Sequence, residues 1–254
     1  TLTFRIDYRP PFNWPALLSF LGARAIAGVE AQLGDAYLRT VEMDDTKGWV
    51  RVAPLMQMKR KSPVYALKLC MSDSLCDVAP AVITRVKTVF DTRANITRIE
   101  QHLSRDRLLA PVIAQNTGMR LPGAFDGFEL MLRAILGQQV SVKGATTLAG
   151  RMAAEFGDKF DTPFDGLTHT TPDVERIANA RVTRIRAIGM PVKRAETIRL
   201  VARAVVNGDL QLHAGTDPET IRERLIEIPG IGEWTASYAV SYTHLTLPTT
   251  RCGL

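Results

Sequence analysis

Leu225-Ile-Glu-Ile-Pro-Gly-Ile-Gly-Glu-Trp-Thr-Ala-Ser-Tyr238 is the stretch on which the reading of the fold turns. Residues 221–228 carry apolar side chains at helical spacing, and Pro229-Gly230 ends that helix. Gly230 and Gly232 can take the positive φ that a tight helix-to-helix corner requires. Trp234, Ala236 and Tyr238 then open a second helix. A helix that starts straight after a glycine corner has main-chain N–H groups without intrahelical acceptors, and its dipole puts partial positive charge at the same end. Such a corner can hold a phosphate without lysine or arginine. The same Pro-Gly-x-Gly pattern also serves as an ordinary turn between two packed helices, so the rest of the chain has to decide between the two readings.

The 254 residues are 46% apolar, enough for a substantial core and for two domains. Thirty-two Lys and Arg against 26 Asp and Glu give a net charge of +6, a modest bias towards a polyanionic partner. Cys70, Cys76 and Cys252 form no C-x-x-C pair and leave an odd thiol, which argues against a disulfide framework and for a reducing, cytoplasmic compartment. The four histidines (His102, His169, His213 and His244) are scattered, so no zinc or iron site is expected. No apolar run reaches membrane-spanning length and no signal peptide opens the chain. The first residue is Thr1 rather than Met, which reads as a fragment or a trimmed chain.

Leu2, Phe4, Ile6 and Tyr8 alternate with polar residues in the period-2 pattern of a half-buried strand, which Pro10-Pro11 ends. Asn13 before Trp14-Pro15 predicts an N-cap with proline in the first turn, and Leu17, Leu18, Leu21, Ala25 and Ile26 give the helix one apolar face. Further strands are predicted at residues 36–43, 49–54 and 65–71, with turns at Asp44-Asp45 and Lys59-Arg-Lys61. From Pro80 the pattern is helical: residues 82–90, 99–114, 125–136, 142–156, 174–188 and 195–207. The expected fold is an α+β N-terminal domain with an antiparallel sheet (residues 1–100), followed by an all-α helical domain (residues 101–240).

The corner is accompanied by Arg133-Ala-Ile-Leu-Gly-Gln-Gln-Val-Ser141, Ala187-Ile-Gly-Met-Pro-Val-Lys-Arg-Ala-Glu196, and the opening Pro10-Pro-Phe-Asn-Trp14 with Phe20-Leu-Gly-Ala-Arg24. With these four motifs in this order, the chain resembles the DNA-3-methyladenine glycosylase II family of the helix-hairpin-helix DNA glycosylase superfamily, from about Leu2 to Val240. The resemblance implies base-excision repair. Duplex DNA with alkylated bases is bound, an alkylated purine of the 3-methyladenine type is flipped out, and its N-glycosidic bond is hydrolysed. It implies that amides around Gly230, Gly232 and Thr235 hold the phosphate beside the lesion, and that the carbonyls of Ile226, Ile228 and Ile231 bind a monovalent ion, Na+ or K+, with no other cofactor. Phe20, Trp234 and Tyr238 match aromatic positions of the base pocket, where an electron-rich ring face attracts a cationic alkylpurine; plain core packing is the other reading of each ring. Gln138 and Gln139 fall where the family inserts a side chain into the gap left by the flipped base. A member of the family has leucine at the position of Gln139, and an amide there can also hydrogen-bond the orphaned base; polar helix-surface residues are the other reading of both glutamines. Trp234 stands where strand-cleaving relatives carry a Schiff-base lysine, which implies a monofunctional enzyme that uses water. The cysteine count excludes the iron–sulfur cluster of other relatives. A monomer, associated with the bacterial nucleoid through DNA, completes the expectation.

Glycosidic cleavage passes through an oxocarbenium-like sugar whose charge needs a nearby carboxylate. The resemblance implies an aspartate shortly beyond the helix that begins near Trp234, yet no Asp or Glu follows Glu233. After Val240 the chain reads Ser241-Tyr-Thr-His-Leu-Thr-Leu-Pro-Thr-Thr-Arg-Cys-Gly-Leu254, where Pro248 and the many threonines argue against a continuing helix. Residues 241–254 are therefore expected to be a non-native tail on a C-terminally truncated chain, with no assignable catalytic residue and no activity as written. Glu233, inside the corner, is not expected to substitute. The alternatives are a non-catalytic helix-hairpin-helix DNA-binding protein and, more remotely, a helical scaffold whose corner contacts only protein.

Overall fold

The computed structural model describes residues 1–55, 58–59, 62–213 and 215–244. The chain forms two units: one of Thr1–Ala25, Glu30–Pro122 and Thr162–Leu167, the other of Ile26–Val29, Gly123–Asp161 and Thr168–Leu254. The first unit runs on to Pro122 and takes in the three α-helices that follow the sheet.

The first unit is built on an antiparallel sheet of order β1-β7-β4-β3-β2: β1 (Leu2–Asp7), β2 (Glu30–Leu33), β3 (Ala36–Met43), β4 (Thr46–Pro54) and β7 (Ala66–Met71). The predicted strands are present. β2 has no counterpart among the predicted strands: Glu-Ala-Gln-Leu is only four residues long and contains no β-branched or aromatic side chain, and it becomes a strand by pairing with β3. The predicted Lys59-Arg-Lys61 turn lies partly outside the described residues; Met58–Lys59 (β5) pairs with Ser62–Pro63 (β6). β3 is buried on both faces. On one face Ala36 and Leu38 pack with Ala53 and Leu167. On the other Tyr37 donates to buried Glu30 at 2.5 Å and packs edge-on to Phe90.

Helix α1 (Trp14–Gly22) starts as predicted: the Asn13 side chain accepts from Ala16 N at 3.1 Å, with Pro15 in the first turn. It ends at Gly22, before Ala25 and Ile26. After α2 (Ala79–Val89), the helix expected over residues 99–114 is two, α3 (Ile96–Leu103) and α4 (Leu109–Gln115). The Asp106 carboxylate accepts from the N–H of Leu108 and Leu109, a local bond that starts a new helix rather than continuing the old one. Arg120 then ties the ends of this unit together. It is 5% exposed, donates to the carbonyls of Asp91, Arg9 and Pro11, and lies 4.4 Å from the centre of the Phe12 ring.

The second unit is helical: α5 (Gly127–Leu136), α6 (Val142–Phe156), α7 (Val174–Asn179), α8 (Val182–Arg186), α9 (Val192–Val206), α10 (Pro218–Ile226) and α11 (Glu233–His244). Its core gathers Met131, Ile135, Met152, Phe156, Ile198, Val201, Leu225 and Ala236, with Ile26 and Val29 from the short inserted segment. Asp126, Ser141 and Asp217 cap α5, α6 and α10 with side-chain oxygens. The single helix expected at residues 174–188 is broken because Ala180 is extended (ψ 150°). In one helix Ile177 and Ile185 would sit roughly 80° apart around the axis; the break lets both be fully buried. The expected end of helix at Val240 is also corrected, since α11 runs on to His244. Its Tyr242 carbonyl accepts from Ala124 N at 3.4 Å. No described helix is long and apolar enough to cross a membrane.

Candidate functional site

The corner between α10 and α11 is held by the protein in a way that leaves its outer donors open. α10 ends at Ile226, two residues earlier than its apolar spacing suggests, and Ile228 N continues the chain into the turn by donating to Leu225 O at 3.1 Å. Gly230 has φ +92°, and a Cβ there would stand 2.1 Å from Thr197 Oγ1. Both facts require glycine. Gly232 differs from expectation: its φ is not positive and a Cβ would meet nothing within 4 Å. It is exposed, and what its missing side chain provides is open access to the helix start. Ile231 is 6% exposed and anchors the turn in the core, with its N–H on Ile228 O at 3.0 Å.

The first intrahelical bond of α11 runs from Ala236 N to Gly232 O at 3.0 Å. Among the described residues no protein acceptor meets the N–H of Gly230, Gly232, Glu233, Trp234 or Thr235. A short row of donors at a helix N-terminus is thereby aimed outward, where the dipole reinforces it. Glu233 is turned aside by Arg222, which donates to it at 2.6 Å and to Glu219 at 2.5 Å. The hydrogen bonds to Glu219 and then to Glu233 push the Arg222 guanidinium further above its already high range. Thus the Glu233 carboxylate is engaged in an exposed ion-pair bridge.

Along α11, Trp234 and Tyr238 fall one turn apart and stack with ring centres 5.3 Å apart and planes 23° apart. Trp234 is 67% exposed, which rules out the core-packing reading for this ring. Thr235 and Ala236 face the interior. Tyr238 is half-buried and also meets Tyr242 at 4.7 Å. Phe20 belongs to the first unit, on α1, where the Arg24 guanidinium lies 3.8 Å from its ring centre.

The two glutamines part company. Gln139 is exposed at the tip of the α5–α6 turn and adopts φ +57°, a left-handed conformation that a side chain takes at a cost. Gln138 points inward: its amide donates to Gly230 O and to Thr235 Oγ1, each at 3.1 Å. Arg194 of α9 donates to Gln138 O at 2.5 Å, and Thr197, one turn further, donates to Pro229 O at 2.8 Å. Arg194 lies inside the 187–196 motif, but neither it nor Thr197 had a role on sequence; a carbonyl acceptor leaves no trace in side-chain pattern. A groove of about 560 Å³ runs between the two turns, lined by Gln139, Lys193, Arg194, Gly232 and Trp234 among others.

A strained, exposed turn beside a helix start with open amides and a surface aromatic stack defines a helix-hairpin-helix base-excision fold. The description "HhH-GPD superfamily base excision DNA repair protein" matches residues 132–244, and "AlkA N-terminal domain" matches residues 3–126. Over 235 residues the chain is 33% identical to DNA-3-methyladenine glycosylase 2 of Escherichia coli, covering 92% of this chain and 78% of that protein. It is 30% identical over 162 residues to a DNA-3-methyladenine glycosylase of Bacillus subtilis, covering 63% of this chain and 53% of that protein. The fold matches that of the 3-methyladenine DNA-glycosylase from Archaeoglobus fulgidus, with a TM-score of 0.79, 20% identity, and coverage of 96% of this chain and 80% of that one. The chain belongs to the DNA-3-methyladenine glycosylase family of base-excision repair enzymes.

Proposed function

We propose that this chain recognises alkylated purines in duplex DNA by gripping one phosphate at the α10–α11 corner and receiving an extruded base on the Trp234–Tyr238 stack. The observation that carries the reading is the set of N–H groups of Gly230, Gly232, Glu233, Trp234 and Thr235, which meet no acceptor among the described residues, next to an indole that is two-thirds exposed. A cationic 3-alkyladenine or 7-alkylguanine gains on the order of 1 to 2 kcal/mol over such a ring face once water is excluded. Gln139, held out on a left-handed turn, fills the space the base vacates. Lys193 and Arg194 add positive charge along the groove for the neighbouring backbone.

The carbonyls of Ile226, Ile228 and Ile231 are the proposed seat of a sodium or potassium ion. They fit a hard cation in that, among the described residues, no N–H donates to the carbonyls of Ile226 or Ile231, and that of Ile228 accepts from Ile231 alone. When bound, the ion would neutralise carbonyl charge beside the incoming phosphate. Trp234, in place of a Schiff-base lysine, supports hydrolysis without strand cleavage. The partner is double-stranded DNA, bound by a monomer in the bacterial cytoplasm.

A second reading, a DNA-binding module without catalysis, is favoured by the engagement of Glu233 with Arg222. Fluorescence anisotropy with undamaged, abasic-analogue and methylated duplexes over a salt series, paired with chromatography of released bases, tests both. Expected are salt-dependent binding that favours the abasic duplex, and no base release by residues 1–254. Equal affinity for undamaged and abasic duplexes overturns the repair reading; released 3-methyladenine overturns the non-catalytic one.

A further inference from the structure

The geometry points to Gln138 as a positioning residue that sets the distance between the Gln139 tip and the phosphate-gripping corner; this rests on the reading above, in which both turns touch DNA. Its two amide hydrogens are both used, one on Gly230 O and one on Thr235 Oγ1, each at 3.1 Å. Both acceptors belong to the corner, and one of them is the carbonyl of the left-handed glycine itself. Its own carbonyl is held by Arg194. Thr197, three residues further on the same face of α9, holds the carbonyl of Pro229. The first turns of α9 therefore pin both loops, and Gln138 joins the loops to each other.

Gln138 precedes by one residue the strained Gln139, whose φ of +57° persists only if its surroundings over-determine it. The Gln138 bonds on one side of that residue supply such a constraint. Insertion of a side chain into a duplex and capture of a phosphate must occur together, so a loose joint between the two turns lowers discrimination of a damaged site more than it lowers grip on DNA in general. Gln138 touches neither base nor phosphate in this account and acts through Gln139.

The test is a double-mutant cycle on the full 254-residue chain with Gln138→Ala, Gln139→Ala and the pair, read as the ratio of affinities for an abasic-analogue duplex and an undamaged one, with thermal unfolding of each variant. Each single change is expected to cut that ratio about tenfold, and the pair no further than either alone, because the second residue acts through the first. Losses that multiply in the pair, or an unchanged ratio in Gln138→Ala, overturn the inference. Thr235→Val and Thr235→Ser guard against a folding defect. Valine removes one acceptor of the Gln138 amide and should lower the ratio several-fold, while serine should restore it; equal ratios in the two also overturn it. A wild-type chain that does not distinguish the duplexes sinks the underlying DNA reading, whereas a discriminating wild type with an equally discriminating Gln138→Ala sinks this inference alone.

Discussion

Each unit contains a junction where side chains stitch distant loops together through backbone carbonyls, and the two junctions end differently. In the first unit, Arg120 directs its guanidinium onto the carbonyls of Arg9, Pro11 and Asp91 and is covered by the Phe12 ring. The junction is a closed one, with the charge inside. In the second, Gln138, Arg194 and Thr197 satisfy carbonyls of two turns, while among the described residues the N–H groups of Gly230, Gly232, Glu233, Trp234 and Thr235 meet no protein acceptor. The difference lies in which half of the peptide group is satisfied: a junction that consumes carbonyls and leaves amides unpaired has the chemistry of the proposed phosphate site, and one that buries its guanidinium has that of scaffold.

Arg120→Met is the most drastic way to probe this contrast. It leaves the half-buried carbonyls of Pro11 and Asp91 and the carbonyl of exposed Arg9 without this donor, and should cost about 3 kcal/mol by denaturant unfolding, at about 1 kcal/mol per lost bond. DNA affinity, measured where the variant is still folded, should be unchanged; a fall would show that the closed junction is part of the site. Gly230→Ala comes next. A left-handed penalty of about 1 to 2 kcal/mol and overpacking against Thr197 of about 1 to 3 should total about 3 kcal/mol, and binding to the abasic duplex should drop more than tenfold in anisotropy titrations. Trp234→Ala, at an exposed position, should change stability by less than about 0.5 kcal/mol. It should nonetheless weaken binding to an alkylated duplex by about 1 to 2 kcal/mol while sparing undamaged DNA. Equal losses on both duplexes would remove the stacking role.

The smallest effect concerns pH. Burial holds the Asp91 carboxyl above its ordinary value of 3.8, even though the Arg120 charge and a backbone hydrogen bond pull the other way. With the folded-state value raised, protonated Asp91 favours folding, and this contribution is lost as pH rises through that value. Asp91→Asn cannot ionise. It should therefore be slightly more stable than wild type at neutral pH and lose that advantage below pH 4, as read from urea midpoints across a pH series; an advantage that grows on acidification would contradict the assignment.

Much of this was legible in the sequence. The Leu2 to Tyr8 alternation is β1, Asn13 caps α1, and residues 142–156 form α6 with the predicted ends. The glycine corner and the Trp234–Tyr238 pair were also legible, because local spacing carries them, and the family was legible through the resemblance of four motifs. What was missed depended on distant partners. β2 exists only through its pairing with β3, and the breaks at residues 104–108 and 180–181 follow from an Asp106 side-chain bond and from core packing. Adjacent glutamines with identical side chains received one expectation, and they separate only when one finds two acceptors on a corner far away in the sequence.

By itself, then, the sequence determined the class of the chain and the location of the turn, since glycine, proline and amphipathic spacing act within a few residues. Only the tertiary structure decided which glycine needs its freedom, which glutamine faces outward and which amides remain unpaired. Those outcomes depend on where Thr197, Arg194 and Thr235 come to lie against the turns, and hydrogen-bond partners across a folded chain are fixed by packing rather than by neighbours in sequence.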